Sequence, residues 1–461
     1  MNFNHIIDII NDVPDYQEFL TVDELKASSQ SLAKRYPDIV ETLPVGNSRQ
    51  GDPIEAIKIG NGAQKALLFA FPHPNEPIGS MMLEYLSLRL AEDNSLRKSL
   101  GYTWYLIKCI DPDGTRLNEG WFKGPFSIEN YARHFYRPPS FQQIEWTFPI
   151  DYETLHFHDP LPETQALMDL IENTRPDFIF SLHNSGFGGV YFYITEEAPA
   201  LYTPFHRLVE SQDLPLHLGE PEMPYITRYA SAIFKLTGVG DDYNFLKQNT
   251  DTDPAEIIKQ GTISFDYAQR YCDSFGLVCE VPYFYNPAIN DTSPSDMVRR
   301  DAILQGLEQQ KECYGFLQQQ YNKVKDDITV ISPFRDFIEE ILRTYQQHLA
   351  AEENWAQTDP EAAEMATVAE KFDNLVVRKF DNLFLLGMFV RMLDSQIKAT
   401  GESSILTSVL AETKSTFETL CAELEIALDY TVIPIQKLVR VQLGSALLAA
   451  NHASKRKKKA R

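Results

Sequence analysis

Between residues 60 and 285, short apolar runs alternate with amphipathic helical segments, and this alternation narrows the architectures open to the chain more than any other feature. "KALLFAF", 65–71, reads as a buried strand. "SMMLEYLSLRLAE", 80–92, follows with Met82, Tyr85, Leu86, Arg89 and Leu90 at helical spacing. "YTWYLIKCI" is the next strand. "PETQALMDLIENT" is a helix with Pro162 near its start and Leu167, Leu170 and Ile171 on one face. "DFIFSL" and "FGLVCEV" are further strands. Strands that are apolar throughout need cover on both sides, and the intervening helices supply it. The expected fold class is therefore α/β, a mixed, mostly parallel sheet with helices on both faces.

After about residue 300 the strand pattern stops. "SPFRDFIEEILRTYQQHL" opens with Ser332 as N-cap and Pro333 at the first helical position. Phe334, Phe337, Ile338, Ile341, Leu342 and Tyr345 form its apolar stripe. Three more helical segments follow, and together they read as an all-α bundle. At 461 residues, two domains are the natural division: 1–310 around the sheet and 311–461 helical, ending in a basic tail.

A net charge of −23 argues against nucleic acid as the main partner. The terminal "KRKKKAR" is expected to be solvated and disordered. The N-terminus shows neither a basic n-region nor a long apolar run. No uncharged apolar stretch approaches the roughly 20 residues that span a bilayer, so no membrane contact is expected. Five scattered cysteines without Cys-x-x-Cys spacing suggest reduced thiols and a cytoplasmic protein.

The chemistry concentrates at strand ends. "FAFPHPNEPIG" places His73 and Glu76 three apart, in a turn that Pro74 and Pro77 keep from being helical. His183 ends another strand, in "FSLHNSG", and Glu280 ends a third, in "GLVCEVPYF". Open α/β sheets bind ligands at the C-terminal ends of their strands. A catalytic zinc takes three protein ligands and keeps one position open, and histidine with carboxylate is a favoured set. A lone carboxylate among Val278, Cys279 and Val281 is costly unless paired or functional. Beside a metal it would be a general base. A cation for the oxyanion is available from Arg116 in "DPDGTRLNEG" or Arg133 in "NYARHFYRP".

These residues resemble the zinc metallocarboxypeptidases of the carboxypeptidase A type over most of residues 40–285. "VGNSRQGDPIEAIKIG" is similar to that family's Gly-x-Ser-x-x-Gly opening strand, "HPNE" to its His-x-x-Glu motif, and "DPDG" to its Asn-Pro-Asp-Gly turn with Asp111 for the asparagine. "SLHNS" and "FGLVCE" supply the last two motifs. The resemblance implies Zn2+ held by His73, Glu76 and His183, with Glu280 activating water. It implies Arg116 polarising the scissile carbonyl and Arg133 gripping a terminal carboxylate. Phe265 and Tyr267 fall in the substrate-binding stretch, and an aromatic at 265 does not favour a basic substrate side chain. The sequence departs from the family pattern at Ala132, where asparagine is usual, and at Ile258, where a mobile tyrosine is usual; Tyr243, Tyr267 or Tyr271 are the substitutes at hand.

The function implied is zinc-dependent hydrolysis of an amide bond beside a free carboxylate, with a peptide or N-acylated amino acid as substrate. An N-acyl amino acid deacylase of the aspartoacylase type would use the same ligands, and a degenerate zinc-binding module is a third reading. A rival metal site is offered by His156 and His158 in "LHFHD", with Asp159 nearby. "GFGG", 186–189, lacks the lysine of a phosphate loop and is expected to let the backbone pass close to the metal. The helical region is expected to shape access to the site or to form a homo-oligomer contact.

Overall fold

The computed structural model describes residues 1–460, with side chains through Arg456. Nine strands form one sheet: β1 (Val40–Asn47), β2 (Pro53–Ile59), β3 (Gln64–Ala70), β4 (Tyr102–Ile107), β5 (Phe178–Leu182), β6 (Tyr191–Ile194), β7 (Arg228–Ala230), β8 (Ile233–Lys235) and β9 (Phe275–Glu280). Their spatial order is β1-β2-β4-β3-β5-β9-β6-β8-β7. The four central strands β4, β3, β5 and β9 run parallel. Antiparallel pairings β1/β2, β2/β4, β9/β6 and β7/β8 flank them. The sheet is thus mixed with a parallel centre, and its central strands are buried from end to end because helices cover both faces.

Register decides where the chemistry lies. Ala70 pairs with Leu182, and Ser181 pairs with Val278. The C-terminal ends of β3, β5 and β9 are therefore neighbours in one row. The first crossover helix, α1 (Ile78–Glu92), starts against that row. A Cβ on Gly79 would lie 2.5 Å from Leu182 Cβ, so only glycine lets the start of α1 press onto β5. Between β3 and α1 the chain turns sharply: Phe71, fully buried, sits at φ +58°. A left-handed conformation at a bulky residue is strained and persists only where packing over-determines it. Two shorter elements matter below, α2 (Ile128–His134) and α3 (Pro162–Thr174).

The C-terminal helices are α4 (Arg299–Val324), α5 (Pro333–Thr358), α6 (Arg378–Thr400), α7 (Ser404–Leu428) and α8 (Ile435–Ala460). Ser332 caps α5 by accepting from the Arg335 amide at 3.2 Å, and Phe334, Phe337 and Ile338 are buried. These helices pack against the sheet layers: one continuous apolar cluster runs from Ile6 to Ala453. Arg391 of α6 donates to the carbonyls of His134, Phe135 and Leu117 at 2.7–2.8 Å. α8 lies under α1, β5 and β9. Its end departs from the expectation of a solvated tail, since Arg456 pairs with Glu196 at 2.7 Å and Asp273 at 3.0 Å. The rest of that tail lies outside the described residues. Among the described residues no helix is long and apolar enough to cross a membrane.

Candidate metal centre

Three donors converge where the three strands end. His73 Nδ1 lies 3.0 Å from Glu76 Oε1, and His183 Nδ1 lies 3.0 Å from Glu76 Oε2. The imidazoles stand edge to face with centroids 4.8 Å apart. One ligand atom from each residue fits within 4.8 Å of the others. The turn carrying His73 and Glu76 is held from several sides. Asn75 donates from Nδ2 to the Tyr131 hydroxyl at 2.9 Å, and its carbonyl accepts from the Tyr283 hydroxyl at 2.9 Å. The Ile78 amide at the start of α1 donates to Asn184 Oδ1 at 3.2 Å. His183 is fixed through its second ring nitrogen, which meets Ser181 Oγ at 2.9 Å; Ser181 in turn donates to buried Glu145 at 3.2 Å. Its carbonyl accepts from Gln442 of α8 at 2.6 Å. Such outer partners orient a ligand.

The electrostatics suit a cation. Burial, with Arg137 adding to it, pulls His73 down to about 4, so its ring is neutral near pH 7. That is the state a metal ligand requires. Burial alone would raise Glu76, but the electrostatic pull of the His73 ring and of Arg137, with hydrogen bonds from both imidazoles, outweighs it and holds the carboxyl well below the usual range. Glu280 behaves oppositely. Burial pushes it well above the ordinary carboxylate value, and Glu76 and Glu222 push it further. It sits 3.9 Å from His183 Nδ1. His73 Nε2 and Glu280 Oε2 are both buried without a hydrogen-bond partner. Buried polar atoms are rarely left so unless a ligand, ion or water completes them. The donor set of two imidazoles and a carboxylate, with a further unsatisfied carboxylate beside it, fits a zinc of catalytic type.

The structure does not bring every expected residue here. Arg116, on the short helix Pro112–Asn118, reaches outward to Asp23 at 2.8 Å and Asp52 at 3.0 Å. Arg133, in the last turn of α2, pairs one turn back with Glu129 and lies over the Phe417 ring. Both guanidiniums are engaged with partners outside the three-donor cluster. The arginine at the site is Arg137, whose Nη2 donates to Glu76 and whose Nε donates to Asn75 Oδ1 at 3.2 Å. It lies three residues past α2, where Pro138 keeps the chain extended and turns it off the helix axis. The stretch quoted for Arg133, "NYARHFYRP", also contains Arg137, and Pro138 after it is the one local sign that the chain leaves the helix there.

Phe265 and Tyr267 also lie elsewhere. Phe265 packs on Gly276, four residues along β9 from Glu280 and so about 13 Å away. Its ring is buried against that strand. Tyr267 donates its hydroxyl to Glu172 on α3, beside the opposite end of the strands. Tyr243 bonds to Thr154 at 2.7 Å, and Tyr271 is 37 % exposed next to Tyr267. The tyrosines that do approach the site are Tyr131 and Tyr283, in the turn network, and Tyr191, cross-strand partner of Glu280.

His156 and His158 do face one carboxylate, but it is Asp151 on the adjacent strand rather than Asp159, at 2.7 and 3.0 Å. "GFGG" does not serve the metal: Gly189 passes Leu216, where a Cβ would lie 2.4 Å from the carbonyl carbon, and Gly186 meets Phe380.

Zinc carboxypeptidase A 1 of Anopheles gambiae is 29% identical over 126 residues, covering 24% of this chain and 29% of that protein. The chain thus spans less than a third of the length of that curated relative. Among solved structures, carboxypeptidase A from Helicoverpa armigera aligns with a TM-score of 0.38 at 14% identity, over 62% of this chain and 73% of that one. A metallo-carboxypeptidase from Burkholderia cenocepacia aligns with a TM-score of 0.34 at 16% identity, over 59% and 61%. The zinc carboxypeptidase family model matches residues 25–276, more than half of the sequence, and the chain belongs to that family.

Proposed function

We propose that the protein is a zinc-dependent carboxypeptidase that hydrolyses an amide bond next to a free carboxylate. The observation that carries this reading is the unpartnered, buried carboxylate of Glu280 beside three converging donors. His73, Glu76 and His183 would hold the metal. Bound zinc would act as a Lewis acid and make a water acidic near neutral pH.

The chain's own residues account for the proton movements. Glu280 has a raised proton affinity and a free Oε2, so it takes a proton from the attacking water. It delivers that proton to the nitrogen of the departing amine as the amide bond breaks. Arg137 is fixed by Glu76 and Asn75 and about two-thirds buried, so it presents its remaining donors to a substrate carboxylate or to the developing oxyanion.

Reconstituting the full chain with zinc and incubating it with peptides and N-acylated amino acids, with products read by mass spectrometry, tests the proposal. Release of a C-terminal residue is expected. Glu280→Gln should retain one zinc while kcat falls at least about a hundredfold. A variant as active as the wild type removes Glu280 from the mechanism, and release of only a small acid from N-acylated amino acids makes the protein a deacylase.

A further inference from the structure

Arg137 lies in a stretch, 135–139, that belongs to no helix or strand, so no regular pattern of backbone hydrogen bonds fixes its path. Pro138 and Pro139 have no amide hydrogen, and both are buried with Phe135 and Tyr136. Buried backbone groups still need partners. The carbonyls of His134 and Phe135 accept from Arg391 Nη1 at 2.7 and 2.8 Å. Asn118 serves Tyr136 at both its amide and its carbonyl, at 2.9 Å each. Beyond Arg137, Ser140 donates its amide to Glu340 Oε2 at 2.7 Å and its hydroxyl to Glu340 Oε1. Glu340, on α5, is 7% exposed and gives both carboxylate oxygens to this one serine.

Side chains reinforce these anchors. The Phe135 ring stacks on Phe384 of α6, with centroids 4.3 Å apart and planes 18° apart. Tyr136 meets Phe334 of α5 edge to face at 5.6 Å, and the Arg391 guanidinium lies 4.4 Å over that same Phe334 ring. The helical region thus grips the chain three residues before Arg137 and three residues after it. Both grips use a charged group, and hydrogen bonds to charged groups are about twice as strong as neutral ones. With Nε on Asn75 and Nη2 on Glu76, the Nη1 of Arg137 is left for a ligand. A guanidinium on a free loop would lose backbone and rotamer freedom at each binding event. One on a clamped stretch has lost it already on folding.

We propose that Glu340 and Arg391 are positioning residues, which hold residues 134–140 so that Arg137 faces an anionic group of the substrate; this rests on the reading of Arg137 as the arginine that meets the substrate. Neither residue touches the ligand. The helical region contributes nothing to the three-donor set, yet it fixes the one arginine beside it.

Calorimetric titration of the zinc-reconstituted full chain with 4-methylpentanoate, an apolar tail bearing one carboxylate, tests this without catalysis. Arg137→Ala and Glu340→Ala should each bind this probe at least about tenfold more weakly than the wild type. The double variant should stay within about twofold of Arg137→Ala, because a residue that acts through another has no effect once the other is gone. Glu340→Gln still accepts from the Ser140 amide and should restore most of the affinity. Arg391→Lys keeps the charge but not the fork that spans several carbonyls, and should follow the same pattern with a loss of at least about threefold. It decides the matter if Glu340→Ala does not fold. Losses that multiply in the double variant, positioning variants that bind like the wild type, or a wild type that does not bind the probe each overturn the proposal. Peptide hydrolysis separates the two readings. If no peptide is cleaved while the binding cycle holds, the carboxypeptidase reading fails and the positioning role stands. If peptides are cleaved and the positioning variants keep wild-type binding and KM, the positioning role fails alone.

Discussion

His73, Glu76 and His183 at the strand ends, and Asp151, His156 and His158 around the hairpin of Ile150–Tyr152 and Leu155–Phe157, offer the same donor types at the same mutual reach. Their surroundings differ. At the strand ends each residue is at most 9% exposed, and His73 Nε2 and the neighbouring Glu280 Oε2 lack partners. On the hairpin the side chains are 60–65% exposed. Water satisfies an exposed imidazole at little cost, so the hairpin cluster needs no ion. A buried polar atom without a partner costs about 1–3 kcal/mol, so the strand-end cluster is incomplete without one. Burial, more than residue type or spacing, distinguishes a metal centre from a surface ion pair.

The strongest way to break the comparison is Glu76→Gln. This carboxylate bridges both histidines and Arg137, so zinc content measured by emission spectroscopy should fall from one per chain to near zero. The metal-free variant should also lose about 2 kcal/mol in denaturant unfolding, because Arg137 is left without its anion; its partial exposure keeps the loss below that of a fully buried pair. A variant that keeps one zinc and the wild-type midpoint would undo the assignment.

A second buried carboxylate sharpens the point by pH. Asp111 is 1% exposed, its Oδ2 has no partner, and burial, opposed by Arg49, raises it from 3.8 to about 6. The folded chain therefore holds a proton that the unfolded chain has released. The stability tied to that proton is complete below about 4 and is lost as pH rises through 6. Asp111→Asn should then be more stable than the wild type by on the order of 2 kcal/mol at pH 8, with the gap closing toward pH 4. A gap independent of pH would mean that the ionised carboxylate is not the cause. The smallest effect is expected at the surface. Asp151→Asn should leave zinc stoichiometry and the unfolding midpoint unchanged, since solvent replaces both contacts; loss of a bound zinc in this variant would make the hairpin a second metal site.

The sequence by itself determined the α/β class, because apolar runs and helical periodicity are local signals. It also singled out His73, Glu76 and His183 as candidate ligands that the fold brings together, because strand-end positions in a parallel sheet converge whatever lies between them. Only the tertiary structure decided which arginine faces the metal set, where Phe265 and Tyr267 go, and that α6 and α8 take part. Those outcomes depend on side-chain direction and on contacts between residues hundreds of positions apart. Gln442 on His183 and Arg391 on the carbonyls of His134 and Phe135 leave no mark in local pattern. Arg116 and Arg137 have the same chemistry, and only packing settles which of them spends its charge on solvent-facing aspartates.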